Sequence, residues 1–309
     1  MEKVKKYCCL AAVDIGSNAS RLLIQKCDLY ASYSPVQGVR DSYYRIPVRL
    51  GVDVFSDGKV SETRANELAV ALKKFHQLMK VAKVEEYRVC ATSALRNAYN
   101  SQSVIDMVEK VSGLKVDVIS GEEEANLVRD GFVLQGKTLK HVVFVDVGGG
   151  STEVSLMDKD KVLYSHSFSI GSMRGLSSDA SAIEYEPLKR YVRQFKTHFN
   201  NFQTICTGGN IHMVSNLLNN ENNADKIKVN ELRRMYENVK ELSPLQIVER
   251  YALNIDRAEI LVPAMLIYLI IADALNINEY QTPPVSLKYG IVASLLKKRQ
   301  KVEKEKKNF

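Results

Sequence analysis

Apolar runs and alternations divide the chain into strands and helices in turn. CCLAAVDIG (8–16) reads as a buried strand, and ASRLLIQKC (19–27) as a second strand after a turn. The stretch 56–83 begins with a turn and an N-cap candidate, Ser61. Its apolar residues then fall at Leu68, Ala69, Leu72, Phe75, Leu78 and Ala82, which is helical spacing. YRVCATSA (87–94) and KVDVIS (115–120) read as strands. SVIDMVEKVSG (103–113) reads as a helix closed by Gly113, and EEEANLVRDGFVL (122–134) as another helix. The second half repeats the theme. HVVFVDV (141–147) and residues 151–171 are strand-like, 184–199 are helical, and FQTICTGG (202–209) leads into the helix NIHMVSNLLNN. Ser243, Pro244 and Gln246 match a capping box with proline at the first helical position, and Asp256 with Glu259 resembles a second box. ILVPAMLIYLIIADAL (260–275) reads as a buried helix with Pro263 in its first turn.

Strands alternating with helices indicate α/β layers. Within that pattern, AVDIGSNASRLLI and FVDVGGGSTEVSL align without a gap at an offset of 132 residues. Asp14 matches Asp146, Gly16 matches Gly148, and Arg21 falls on Glu153. The same strand–turn–strand unit in both halves implies a duplicated two-domain body. The 309 residues are enough for two domains of ordinary size.

Charge changes the picture little. Of the net +7, residues 297–307 carry +5 and residues 1–6 carry +2, so the basic excess belongs to the two ends. A solvated, frayed lysine tail accounts for it more simply than a polyanion-binding arm does. The five cysteines are odd in number and contain no CxxC, so neither a disulfide framework nor a zinc site is legible. The longest apolar run, Ile260–Ala272, is shorter than the roughly 20 residues of a membrane span, and the apolar run at Cys8–Val13 is too short for a secretory signal. A cytoplasmic protein with no membrane and no nucleic-acid partner is the expectation.

The glycines of HVVFVDVGGGSTEVSL carry the chemistry. A phosphate-binding P-loop would need a lysine soon after Gly150, and a dinucleotide turn would need a helix there. STEVSLM instead alternates as a strand does. The turn is therefore a hairpin whose backbone N–H groups can converge on one anion, with Ser151 and Thr152 adding hydroxyls. Asp146 and Glu153 flank it and can hold a divalent cation that neutralises phosphate. One such turn would be read as a plain glycine-rich hairpin. Two matching turns, each with a strand-end aspartate, favour ligand binding.

Paired hairpins of this kind resemble those of the actin, sugar-kinase and heat-shock-chaperone ATPase superfamily. Within it the chain resembles the Ppx/GppA phosphatases, the exopolyphosphatases and guanosine pentaphosphate phosphohydrolases. The motifs AAVDIGSNASRLLI, VRLG, ATSALRNA, ISGEEEANL, VDVGGGSTEVSL, IGSMRG, CTGGNI and IDRAEILVPAMLIYLIIADAL stand in that family's order over nearly the whole chain. The resemblance implies two actin-like (ribonuclease H-like) domains with a mixed sheet each and the active site in the cleft between them. The first spans 1–125, with a C-terminal helix near 287–305 returning to it; the second spans 126–286. It further implies a first phosphate loop of Asp14, Ser17 and Asn18 with Arg21 beside it, and phosphate contact from Arg96. Glu124 falls on the family's general base, with Glu123 its neighbour. Asp146 and Glu153 would hold Mg²⁺ or Mn²⁺. Gly148, Gly149, Gly150, Ser151 and Thr152 would form the second phosphate loop, Arg174 would reach the phosphate chain, and Gly208 and Gly209 would line the site. The implied substrate is inorganic polyphosphate or guanosine pentaphosphate, and the implied assembly is a homodimer.

Two departures stand out. The family pattern SDRGLREG appears here as TPPVSLKYG, without its aspartate and one arginine, and the further helical domain of long family members is missing from these 309 residues. From physics alone, Glu122, Glu123 and Glu124 at a helix start are explained by the helix dipole. Crowded carboxylates also raise a pKa, which suits a general base. Arg21, Arg96 and Arg174 are each explained by an ordinary surface ion pair. An ATP-dependent kinase relative and a non-catalytic sensor of alarmone or polyphosphate are the other function classes.

Overall fold

The computed structural model describes residues 7–30, 41–133, 140–159, 161–176, 183–218 and 225–307. The lysines of residues 1–6 lie outside the described residues. The chain divides into two units, Met1–Lys137 with Ser286–Phe309, and Thr138–Val285. The first division falls after residue 125 because an end there would cut a continuous helix, Gly121–Val133.

In unit 1, β1 (Tyr7–Ile15), β2 (Ser20–Asp28) and β3 (Ser42–Ile46) form an antiparallel meander. Helices α1 (Leu50–Asp57) and α2 (Glu62–Val81) follow, then β4 (Glu86–Ala91), α3 (Ser93–Asn97), α4 (Ser101–Ser112), β5 (Asp117–Val118) and α5 (Gly121–Val133). The sheet order is β3-β2-β1-β4-β5, with β4 parallel to β1 and β5 parallel to β4. As the central strand, β1 is buried on both faces, which fits its unbroken apolar run. Ala11, Val13, Ile15, Leu22 and Ile24 join Leu68, Leu72, Phe75 and Val108 in one core. Ser61 caps α2 by accepting from the Arg64 N–H, and Gly113 ends α4 at φ +71°.

Unit 2 repeats this plan. It runs β6 (His141–Val147), β7 (Thr152–Asp158), β8 (Lys161–Phe168), α6 (Glu186–Arg193), β9 (Gln203–Thr207), α7 (Gly209–Leu218), β10 (Lys226–Lys228), α8 (Val229–Val239), α9 (Pro244–Tyr251), α10 (Ile255–Leu275) and β11 (Glu279–Gln281). Its sheet order is β10-β11-β9-β6-β7-β8. The meander β6-β7-β8 followed by parallel β9 and β11 has the arrangement of unit 1, with β10 added at the edge. Each unit is an actin-like domain with its own mixed sheet.

Three expectations are corrected. The capping box at Ser243 and Gln246 forms, but the one at Asp256 and Glu259 does not. The helix there starts two residues earlier with Asn254 at its cap, so Asp256 lies within the first turn. Pro263 consequently sits inside α10 rather than in that first turn. With its polar flanks included, α10 reaches 21 residues and is long and apolar enough to cross a membrane, yet 67% of its most apolar window is buried inside unit 2. The basic C-terminus is no frayed tail either. Helix α11 (Leu287–Lys307) carries it, and Arg299 there pairs with Glu85 at 2.6 Å and Glu86 at 3.1 Å.

Helix α11 belongs to unit 1 and packs on α5 and on β1. The approach to α5 is backbone on backbone. A Cβ on Gly131 would lie 3.0 Å from the Gly290 backbone, and one on Gly290 would overlap the Leu127 carbonyl. Gly290→Ala should therefore cost about 1–3 kcal/mol by overpacking. Lys298→Ala, exposed on the same helix, should stay within about 0.5 kcal/mol. Chemical denaturation compares the two, and equal small losses would show that the helices can part without cost.

Candidate functional site

Each unit offers one glycine-containing hairpin loop at the end of its central strand. In unit 1 the strand ends Ile15 and Ser20 are paired, which leaves a four-residue loop, 16–19. The Gly16 N–H donates to the Ala19 carbonyl at 3.1 Å. The loop's own carbonyls are taken up from outside it. Arg49 N–H donates to Asn18 O at 3.1 Å and Gly51 N–H to Ser17 O at 2.9 Å. The Ser17 hydroxyl lies 2.9 Å from that of Ser93, both buried. Asp14, buried just before the loop, pairs with Arg21 at 3.1 Å.

The acidic start of α5 is held by arginines. Arg96, at the end of α3, donates to the Ile119 carbonyl at 2.8 Å and to Glu124 Oε2 at 3.3 Å. Arg88, from β4, donates to Glu123 Oε1 at 2.8 Å and to Asp117 at 3.0 Å. The Ser120 hydroxyl accepts from the Glu123 N–H at 3.1 Å. The two inner glutamates thus point to different arginines, while Glu122 stays exposed. Beside Asp14 on the adjacent strand, burial pushes the Cys90 thiol up to about 12.

Unit 2 builds the same loop more tightly. Val147 pairs with Thr152, and Gly148 N–H donates to Ser151 O at 2.8 Å, the counterpart of the bond from Gly16. The carbonyls of Gly148, Gly149 and Gly150 accept from Ser172 N–H, Met173 N–H and Arg174 Nε at 3.0, 2.8 and 2.6 Å. Asn210 braces the loop through the Val147 carbonyl at 2.8 Å, and the Thr152 hydroxyl donates to Ile170 O at 2.7 Å. A side chain at Gly171 would overlap the Gly149 carbonyl, so close backbone approach requires glycine there. With its carbonyls occupied from behind, the loop has its N–H side to offer to an anion.

The duplicated positions differ in charge. Across β4-β1-β2-β3 the register places Cys90, Asp14, Arg21 and Arg45 in one line. Across β9-β6-β7-β8 it places Thr207, Asp146, Glu153 and Ser167. Directly opposed residues in adjacent strands share a face. Arg21 answers Asp14 in the first line, whereas Glu153 faces Asp146 in the second. The Thr207 hydroxyl donates to Asp146 at 3.0 Å and Ser167 to Glu153 at 2.7 Å. Two carboxylates held opposite one another repel. Their donor set is all hard oxygen and fits Mg²⁺, which takes one or two carboxylates and fills its remaining positions with water and phosphate. Cys206 pairs with Val145 and so lies on the opposite face of the sheet from Asp146. Among the described residues no group of three or more His, Cys, Asp or Glu forms a metal site.

The structure thus gathers Asp14, Ser17, Asn18 and Arg21 in one place, Arg96, Glu123 and Glu124 in another, and Asp146, Gly148 to Glu153, Arg174, Gly208 and Gly209 in a third. Sequence reasoning missed Ser93, Arg88, Asn210 and Ser167. Ser93 and Asn210 stand within quoted motifs and could have been found there. Arg88 and Ser167 are fixed by strand register, which no local motif records.

A model of the family described as the Ppx/GppA phosphatase family matches residues 44–299. A curated relative, the guanosine-5'-triphosphate,3'-diphosphate pyrophosphatase of Photobacterium profundum, is 25% identical over 307 residues and 93% of this chain. The chain spans 59% of that relative's length. Among solved structures, an exopolyphosphatase from Cytophaga hutchinsonii superposes with a TM-score of 0.80 at 21% identity, covering 95% of this chain and 98% of that one. The Aquifex aeolicus member of the Ppx/GppA family gives 0.70 at 21% identity, covering 95% and 99%.

Gly208 joins β9 to α7 at φ +92°, and a Cβ there would overlap the Asp146 carboxylate. Gly208→Ala should cost about 1–3 kcal/mol from backbone strain, with the displaced carboxylate in addition. Gly58→Ala supplies the comparison, because φ is +72° there but the nearest side-chain atom lies at 3.5 Å. A loss at Gly208 no larger than at Gly58, by chemical denaturation, would mean that Asp146 turns aside freely.

Proposed function

The chain belongs to the Ppx/GppA phosphatase family, and from that premise we propose that it is a metal-dependent phosphohydrolase releasing the terminal phosphate of inorganic polyphosphate. The observation that carries the reading is the pair of like-built loops with opposite charge beside them. Phosphoryl transfer to water asks for positioned phosphates, neutralised charge and an oriented water rather than covalent help from the protein.

In unit 1, the loop 16–19 and Arg21 would bind phosphate oxygens. Arg96 would hold Glu124 by its carboxylate and add a cation for phosphate. Glu124 would orient the attacking water and accept its proton. Glu123, tied to Arg88, would keep the turn in place. In unit 2, the N–H groups of Gly148 to Thr152 would bind phosphate, and Arg174, clamped on Gly150, would fix the loop and face the chain. Asp146 and Glu153 would hold Mg²⁺, with Mn²⁺ the alternative hard cation. When bound, the cation neutralises charge on the phosphate oxygens. Guanosine pentaphosphate is the second reading, favoured by the curated relative, whose name states that activity.

Phosphate release from polyphosphate, guanosine pentaphosphate and ATP, measured side by side with Mg²⁺, tests the proposal. Polyphosphate should be the best substrate. EDTA should abolish release and Mg²⁺ restore it; full activity in EDTA would remove the metal from the reaction. Preference for ATP with a small acceptor would favour a kinase, and tight binding without turnover a sensor.

Glu124→Gln keeps the shape and removes the basicity. The turnover number should fall by on the order of 10² to 10⁴. Binding should survive, because a negative charge near an anion is gone. Loss of the half-buried pair with Arg96 should cost about 1 kcal/mol. Glu122→Gln removes the same charge from an exposed side chain and should leave turnover near wild type. Equal turnover in both variants would move the base to Glu123.

A further inference from the structure

The line across unit 1 does not end at Arg21. Arg45 on β3 stands directly opposite Arg21 on β2, so two guanidiniums share one face of the sheet. Its counterpart in unit 2 is Ser167, which donates to Glu153. The duplicated scaffold therefore carries a second arginine only in the unit whose loop lacks a carboxylate pair. Arg21 is already engaged by Asp14. Facing like charges are unfavourable by themselves, and an anion that bridges the two guanidiniums reverses the sign.

A third cation lies one rung away. Tyr43 precedes Arg45 by two residues on β3, hence on the same face. The Lys288 ammonium sits 5.1 Å from the Tyr43 ring centre and 4.7 Å from that of Tyr289. Lys288 belongs to the first turn of α11, in the stretch TPPVSLKYG where the chain departs from the family pattern. The Ser286 hydroxyl is 2.8 Å from its Nζ. Rungs two residues apart are spaced by about 7 Å, and neighbouring strands by about 4.8 Å. Arg21, Arg45 and Lys288 thus step away from the first loop over a distance that spans several linked phosphates. Besides Asp14, Asp41 before β3 borders this face, and Gln25 Nε2 donates to it at 3.1 and 3.0 Å.

We propose that Arg45 and Lys288 form a rail for the phosphates beyond the terminal ones, so that affinity rises with the length of a linear phosphate chain. The rail rests on the phosphohydrolase reading and adds chain-length preference to it. Guanidinium and ammonium groups recognise phosphate oxygens rather than a base or a sugar.

The test compares wild type with Arg45→Gln, Lys288→Gln and the double variant on tripolyphosphate and on long-chain polyphosphate with Mg²⁺. The ratio of the long-chain to the tripolyphosphate KM should rise about tenfold in Arg45→Gln, the worth of one hydrogen bond to a charged group. Lys288→Gln should raise it less, the double variant most, and Arg45→Lys should restore most of it. Gains in KM should shrink at high salt, where the charges are screened. An unchanged ratio in the double variant with normal wild-type turnover would overturn the rail and leave the phosphohydrolase reading standing. Should wild type release no phosphate, that reading fails separately. Calorimetric binding of long-chain polyphosphate in EDTA then decides the rail: weaker binding in the double variant supports it, and equal affinity overturns it.

Discussion

A carboxylate at the end of a buried central strand governs how both units are built. Charge placed there is unfavourable unless it is paired or hydrogen-bonded. Asp14 meets this demand through Arg21, directly across the hairpin. Asp146 takes a hydrogen bond from Thr207 on the other side, but faces Glu153 across its hairpin. Burial of Glu153 makes that opposition more costly, although Ser167 donates to it. On the reading proposed above, a hard cation would offset the repulsion in the second unit in the way an arginine does in the first.

The loops gain their rigidity from the same geometry. A hairpin of four residues leaves several carbonyls without strand partners, and each must find a donor. Arg49 and Gly51 serve the first loop; Ser172, Met173, Arg174 and Asn210 serve the second. Close packing of donors against the second loop is possible only because Gly171 has no side chain to strike Gly149. Once its carbonyls are held, the backbone N–H groups are fixed in orientation, and an anion bound there would require no rearrangement.

Local chemistry was legible where it was written in a few adjacent residues. The hairpin nature of the glycine turns followed from the alternation after Gly150, and the caps at Ser61 and Ser243 followed from residue type and spacing. The two-unit duplication followed from one gapless alignment. What stayed hidden depended on partners far along the chain. The short edge strand β3 has an exposed, half-polar pattern, so neither it nor Arg45 announced itself. Asn254 took the cap that Asp256 had been expected to hold, since where a helix begins is decided by packing as well as by residue type. The C-terminal lysines looked like a solvated tail because Arg299 finds Glu85 and Glu86 only after the helix has folded back onto unit 1.

Duplication with a single charge reversal has a consequence for a polyanionic ligand. Left alone, the line Asp146–Glu153 would repel phosphate, while the line Asp14–Arg21–Arg45 would attract it. A divalent cation at the first of these changes its net charge from −2 to zero, and the local field follows the ion rather than the protein. On the proposed reading the second unit's affinity for phosphate would depend on metal, and the first unit's would not. Two scaffolds of one plan would thus reach the same end by different means: fixed guanidiniums in one, an exchangeable ion in the other. Guanidiniums would hold phosphate without any metal, which suits retention of a chain. An ion held by Asp146 and Glu153 would supply charge neutralisation to phosphate oxygens, which suits the reacting end.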